Sequence, residues 1–368
     1  MPEWYTFNDQ MNEMFGGKVW RLSLSAGCTC PNRDGKLSSG GCIFCSAGGS
    51  GDFASAGDLP AQIEAAKQQV SRKIGKHTKF AGYMAYFQSF TNTYGDTDRL
   101  TCLFEQAAAL PEIVSLAIAT RPDCISDEMI DRLRMINEQK PVFIELGLQT
   151  MHEDTAAYIN RCYPLPVFED AFMRLKAAGL RVVAHVIIGL PGEDAQRTRE
   201  TVRYLCALRY PGKIASDHAG SAGIDSGPGQ VDFDTGNNAS DSCDNNSDSC
   251  DNDSGCAGQN VLDGIKLQLL YVLKGTPLAA LLPEHPDILQ QDPGAMPAGY
   301  LILKDGMHLP QYTLPEYADL ICELTGMLPA GTALHRITGD PPKKDLILPQ
   351  WTADKKHVLN TIRARAVR

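Results

Sequence analysis

Six runs rich in β-branched and aromatic residues, at 19–25, 80–87, 113–119, 142–146, 182–188 and 264–272, alternate with five helical patterns at 60–74, 96–109, 127–137, 167–178 and 194–208. This alternation leaves the chain few folds. Strands separated by helices pair in parallel through right-handed crossovers, giving either a doubly wound sheet or one curled into a barrel. The boundary residues agree: Asp58 ahead of Pro60, Ser126 ahead of Asp127 and Glu128, and Gly179 after the fourth helix are start and stop signals. Beyond the sixth run come more helix, a short strand at 333–337 and a last helix at 353–364, which read as an extension of the same domain.

Composition matters here mainly for what it excludes. With 368 residues, 43% hydrophobic and 21% charged, the chain is neither wholly disordered nor a basic coat for nucleic acid. No apolar run approaches the ~18 residues of a membrane-spanning helix, and the first residues carry no basic, apolar leader, so a cytoplasmic protein is expected. One segment departs from the rest: 214–259 holds nine Asp and no Lys or Arg, and repeats SDSCDNN as SDSCDND from Ser240 and Ser247. It lacks the apolar surface to offset the entropy of ordering it, and it completes no calcium-loop pattern, so it reads as a disordered insertion. It also carries nine of the ten excess negative charges, which leaves the remaining chain close to neutral. By contrast, 343–368 has seven basic against two acidic residues, a balance that suits contact with RNA phosphates or a solvated helix.

The twelve cysteines are unevenly spread, and four lie between Cys28 and Cys45, directly after the first strand. Cys42 and Cys45 form a C-x-x-C pair, and Cys30 can reach them across a Gly-rich loop. Three thiolates suit a cubane iron–sulfur cluster that keeps one iron open. A closed four-cysteine zinc site including Cys28, or a redox disulfide between Cys42 and Cys45, are the competing readings. Cys102, Cys124, Cys162, Cys206 and Cys322 read as structural thiols, and Cys243, Cys250 and Cys256 belong to the acidic insertion.

The stretch TCPNRDGKLSSGGCIFC resembles the cluster loop of radical S-adenosylmethionine (SAM) enzymes of the elongator-related branch. The likeness continues in FQSFTNTYG (87–95), ATRPD (119–123), ELGLQT (145–150), IIGLPGED (187–194), KLQLLYVLKGTPLA (266–279) and HRITGDPP (335–342). Together these resemble the YhcC/YtqA-type (MnmL) radical SAM family over nearly the whole chain. The resemblance implies an α/β fold: a partial TIM-type (β/α)6 barrel over 1–280, interrupted by the insertion, with a small α/β extension over 281–368. It also implies a [4Fe-4S] cluster on Cys30, Cys42 and Cys45, with Cys28 as an extra neighbouring thiol, and SAM as the second cofactor.

Carried over residue by residue, the resemblance places Gln88, Ser89 and Asn92 near the amino-acid end of SAM, and Thr120 and Arg121 near a carboxylate. Glu145, Gln149 and His185 fall near the ribose, and Gly189, with Pro191 and Gly192, near adenine. Lys274, Gly275, Thr276, His335, Arg336, Thr338 and Asp340 are candidates for the substrate side, with helix capping and ion pairing as the competing reading. The implied activity is reductive cleavage of SAM to a 5′-deoxyadenosyl radical acting on a wobble-uridine side chain in tRNA, supplied by an electron donor such as flavodoxin or ferredoxin. Radical chemistry on a small metabolite or a porphyrin-like substrate, and a non-catalytic zinc- or cluster-stabilised binding module, are the alternatives.

Overall fold

The computed structural model describes residues 4–49, 54, 57–72, 74–75, 78–210, 262–286, 290–291 and 299–366. The acidic insertion and its three cysteines lie outside these. In chain order the first part runs α1 (Phe7–Phe15), β1 (Lys18–Leu24), α2 (Leu59–Ser71), β2 (Phe80–Phe87), α3 (Thr97–Ala109), β3 (Ile113–Thr120), α4 (Asp127–Asn137), β4 (Val142–Gln149), α5 (Glu153–Tyr158), α6 (Leu165–Ala177), β5 (Arg181–Ile188) and α7 (Ala195–Ala207). The second part runs β6 (Gly264–Leu269), β7 (Val272–Leu273), α8 (Pro277–Ala280), β8 (Gln290–Gln291), β9 (Gly299–Ile302), β10 (His308–Gln311), α9 (Leu314–Gly326), β11 (Ala333–Arg336), β12 (Leu346–Leu348) and α10 (Lys355–Ala366).

Seven strands form one parallel sheet in the order β1-β2-β3-β4-β5-β6-β11, curled into a half-barrel. The six expected strands stand in sequence order, and the short strand of the C-terminal extension adds a seventh beside β6. Gly264 permits that approach, because a Cβ there would lie 2.8 Å from the His335 ring. The sixth run is shorter than its apolar stretch: it breaks after Leu269, and Val272–Leu273 turns away to pair antiparallel with β12.

The helices start where the capping residues require. Asp58 accepts from Ala61 N, Asp96 from Arg99 N, Ser126 from Met129 N and Asp194 from Arg197 N. Their apolar faces cover the outer side of the sheet. Phe104, Leu133, Phe172 and Leu205 meet the outward strand residues Leu22, Phe87, Ile118, Ile144, Val186 and Leu267 in the main core.

Alternate strand residues point the other way. The inward positions build the barrel interior in layers. At the N-terminal ends of the strands, Val19, Met84, Ala117, Phe143 and Val183 close over Met11 of α1 as an apolar plug. This helix escaped the sequence reading, although Thr6 and Asp9 form a capping box that announces it. Two residues further along, on every one of these strands but β3, the interior becomes polar. Among the described residues, no helix is long and apolar enough to cross a membrane.

Candidate active site

Above the plug lies a cavity of about 760 Å3, bounded by inward strand residues and roofed by the loop after β1. Cys30, Cys42 and Cys45 all line it, and all three are free thiols. The loop between them is tied down at both ends. Asn32 donates to the Asn160 carbonyl at 2.6 Å, and its amide lies 3.7 Å from Cys42 Sγ. Gly41 N donates to the Asn32 carbonyl, Arg33 Nη2 to the carbonyls of Cys45 and Ser46, and Cys45 N to the Cys42 carbonyl. Gly41 has φ +76°, and a Cβ there would meet Arg33 Nε at 3.0 Å, so the turn needs glycine for both reasons.

Asn160 returns the grip: its amide donates to the Gly41 carbonyl at 2.8 Å and to Ser38 Oγ at 3.1 Å. Asn160 itself sits at φ +58°, one of four non-glycine residues with positive φ among the described residues; the others are Phe90, Gln149 and Cys162. Gln149 and Phe90 line the cavity. Left-handed backbone at such residues costs energy that the surroundings must offset, and it gathers at functional sites. Replacing Asn160 by Ala removes the loop clamp and retains the strain. A loss of about 1–3 kcal/mol is expected by chemical denaturation, with looser metal retention on dialysis. Asn160→Gly, which removes the same clamp but relieves the strain, separates the two contributions.

The thiols are poised for a metal centre. Burial pushes Cys42 up to about 12, and the neighbouring Cys45 adds to the shift. Burial also raises Cys45, against the opposing pull of Arg33. Unligated, these sulfurs hold their protons; cationic metal is what makes such donors thiolates. Among the described residues no three His, Cys, Asp or Glu side chains are close enough to hold a single ion. The thiols instead surround a space, and a cubane spreads three cysteine ligands over three irons. The donor set therefore fits the cluster. Cys28 does not line the cavity; its sulfur lies 3.8 Å from Arg99 Nη2, on the side of α3.

Of the residues expected around SAM, Gln88, Thr120, Arg121, Glu145, Gln149 and His185 line the cavity, whereas Ser89, Asn92 and Gly189 do not. The Asn92 amide is committed to the carbonyls of Phe87 and Ala119, where it fixes the ends of β2 and β3. Gly189, at φ +79°, packs instead against Tyr312. Arg121 does meet a carboxylate, but it is the chain's own: Nε and Nη2 grip Asp123 at 2.9 and 2.7 Å. Thr120 shares a 2.5 Å hydrogen bond with Thr93. Gln149 Oε1 accepts from Tyr163.

The substrate-side candidates divide in the same way. Arg336 and Asp340 line the cavity, as do Lys343 and Lys355, and Lys355 pairs with Asp340. Thr276 caps α8. His335 is buried between Gln10 and Arg21, at 2.9 and 3.0 Å.

Sequence reading named Glu145, His185 and Arg336 of the middle layer of the interior and missed Arg21, Tyr86 and Lys266. Glu145 accepts at Oε2 from Lys266 and, at 2.6 Å, from Tyr86, and Lys266 Nζ also donates to Tyr86 at 3.0 Å. Arg21 and Arg336 lie in the same layer. The cations outweigh burial at Glu145 and hold its carboxyl down to about 2, while burial brings Lys266 down to about 7 against the pull of Glu145. Strand period gives the signal that could have found them. In WRLSL and GIKLQL the lone cations share a parity with polar residues and oppose the leucines.

His185 is held neutral, down to about 3, by burial and then by the charges of Lys266 and Arg336. A base with a depressed value leaves stability intact above the unfolded value near 6.5, and stability falls as pH drops from there toward 3. Urea titrations between pH 6.5 and 5 should show that fall. His185→Gln should remove this residue's share of it and change nothing at pH 8.

Residues 30–205 match the Radical SAM superfamily, and 305–368 match the Radical_SAM C-terminal domain. YtqA of Bacillus subtilis (strain 168) is 33% identical over 361 residues, covering 98% of this chain and 88% of YtqA. YhcC of Escherichia coli (strain K12) is 34% identical over 197 residues, 53% of this chain and 62% of YhcC. Among solved structures, the archaeal Methanocaldococcus infernus Elp3 lacking its N-terminus (1–46) superposes with a TM-score of 0.55 at 15% identity, over 95% of this chain and 64% of that one. That likeness is one of fold. The chain thus belongs to the radical SAM superfamily, in the family of YtqA and YhcC with an elongator-type core, and is an enzyme that uses a [4Fe-4S] cluster and S-adenosylmethionine.

Proposed function

We propose that this enzyme modifies a wobble-uridine side chain in tRNA, with Cys30, Cys42 and Cys45 as the ligands of the cluster. The observation that carries the reading is the joining of three free thiols and a polar interior in one cavity of about 760 Å3, with Lys343 and Lys355 of the basic C-terminal segment also on its lining. That volume suits SAM together with one nucleotide-sized group. A wobble base lies in a single-stranded loop and can enter without breaking a duplex. The lysines suit the flanking phosphates.

When bound, the cluster and SAM supply a 5′-deoxyadenosyl radical, fed by a one-electron donor of the flavodoxin or ferredoxin kind. The protein's part is positioning. Asn32, Arg33 and Asn160 fix the cysteine loop, Gln88 offers a polar contact to the amino-acid end of SAM, and Gln149 and His185 offer polar contacts to its ribose. The resemblance to the elongator-related branch implies the substrate, and within the YtqA-type group maturation of a 5-carboxymethylaminomethyl side chain to the aminomethyl form. Mass spectrometry of wobble nucleosides from a deletion strain tests this. Accumulation of the carboxymethylaminomethyl form is expected; an unchanged profile rejects the tRNA reading.

A further inference from the structure

The middle layer of the barrel interior holds a surplus of positive charge. Arg21, Lys266 and Arg336 stand against the single carboxylate of Glu145, with Tyr86 and His185 neutral beside them. Glu145 gives Oε2 to Lys266 and Tyr86 and leaves Oε1 buried without a partner, so neither guanidinium is hydrogen-bonded to it. Arg21 lies 3.8 Å over the Phe7 ring, reaches His335 with Nη2, and leaves Nε buried without a partner. Arg336 is held by Gln268 Oε1 at 3.3 Å. The two guanidiniums repel each other. Arg21 and Arg336 are half-buried, and cations gathered on a cavity wall without matching anions repel one another. In a cavity that also admits substrate, the missing anion is one the substrate brings.

We propose that Arg21 and Arg336 form a clamp for a carboxylate carried on the substrate's side chain, an inference that rests on the wobble-uridine reading. The layer lies one strand repeat, about 7 Å, below the positions of Gln88 and Gln268, toward the plug and away from the cysteine loop. The amino-acid end of SAM belongs at the cluster above it, so that carboxylate is not the one the clamp receives. A backbone phosphate does not reach this depth without threading the chain into the barrel, whereas a base side chain does. The fork of an arginine matches a carboxylate in geometry as well as charge.

The test uses the full-chain, anaerobically reconstituted holoenzyme and fluorescence anisotropy, without reductant, on anticodon stem-loops. These carry 5-carboxymethylaminomethyluridine, its methyl ester, or unmodified uridine at the wobble position. The wild-type protein should bind the acid at least about tenfold more tightly than the ester, the scale of a charge-assisted hydrogen bond. Arg336→Gln and Arg21→Gln should bring that ratio below about threefold, and Arg336→Lys should retain part of it. An acid-to-ester ratio near one in a wild type that binds the modified loops better than the unmodified one, or a ratio unchanged in both Gln variants, overturns the clamp.

If the wild type binds no modified loop better than the unmodified one, the tRNA reading fails, and sodium acetate becomes the probe of the clamp. Acetate should then raise the melting temperature of the wild-type holoenzyme above that in sodium chloride of equal ionic strength, with the difference lost in both Gln variants. No acetate effect in the wild type overturns the clamp on its own. Because Arg21 packs on Phe7, its variant is read only if its iron content and melting curve match wild type. Arg336, half-buried at the sheet edge, carries the test otherwise.

Discussion

Cys42→Ala should leave a folded protein that binds little iron or sulfide after anaerobic reconstitution and forms 5′-deoxyadenosine only at the level of a protein-free control. The substitution removes one of three sulfurs on a loop whose other contacts, Asn32 to Asn160 and Arg33 to the carbonyls of Cys45 and Ser46, do not depend on it. Cys42→Ser should not rescue it, because a hydroxyl in the same buried place is harder still to deprotonate than a thiol already pushed up to about 12. Cys28→Ser is the control. Its sulfur faces Arg99, outside the cavity, and iron content should stay at the wild-type level. Retention of a full cluster by the Cys42 variant would remove the ligand assignment. Ligation also releases protons from Cys42 and Cys45, so reconstitution should run further at pH 8.5 than at pH 7.

The second large effect concerns stability. Lys266→Met should destabilise the fold by about 3–5 kcal/mol, the usual consequence of removing one partner of a buried, hydrogen-bonded ion pair. Lys266 and Glu145 are both almost wholly excluded from solvent, at 1% and 5% exposure, so water cannot take over the lost interaction. Glu145→Gln in the same background should restore most of the loss, since an amide needs no counter-ion. Such a recovery marks a coupled pair rather than two independent packing defects. Chemical denaturation of wild type, both single variants and the double variant closes the cycle, and additive losses would show that the pair contributes no coupling.

The sheet was legible because strand and helix periods differ and each helix begins at a residue that caps it. Asp58, Asp96, Ser126 and Asp194 act locally, through a side-chain oxygen and a backbone amide three residues on, so their effect does not wait on the tertiary fold. The cysteine loop was legible for a related reason: thiol spacing over a short stretch limits which centres can form. The seventh strand is different. The segment 333–337 reads as a strand, but its place beside β6 depends on a glycine more than sixty residues earlier that lets the backbones meet.

Sequence by itself determined the parallel α/β class, the loop that carries the thiols, and a chain whose negative charge is concentrated in one segment of 214–259. These follow from local propensity, periodicity and composition, which act over a few residues at a time. Only the tertiary structure decided which polar groups share the interior. Arg21, Tyr86, Glu145, Lys266 and Arg336 come from five different strands and meet because the sheet curls and its register places His185, Lys266 and Arg336 side by side. It also set the Asn92 amide as a brace between two strand ends and paired Arg121 with Asp123. A side chain's partner is set by which strands adjoin and by how far each is shifted, and that depends on long-range pairing that no single segment encodes.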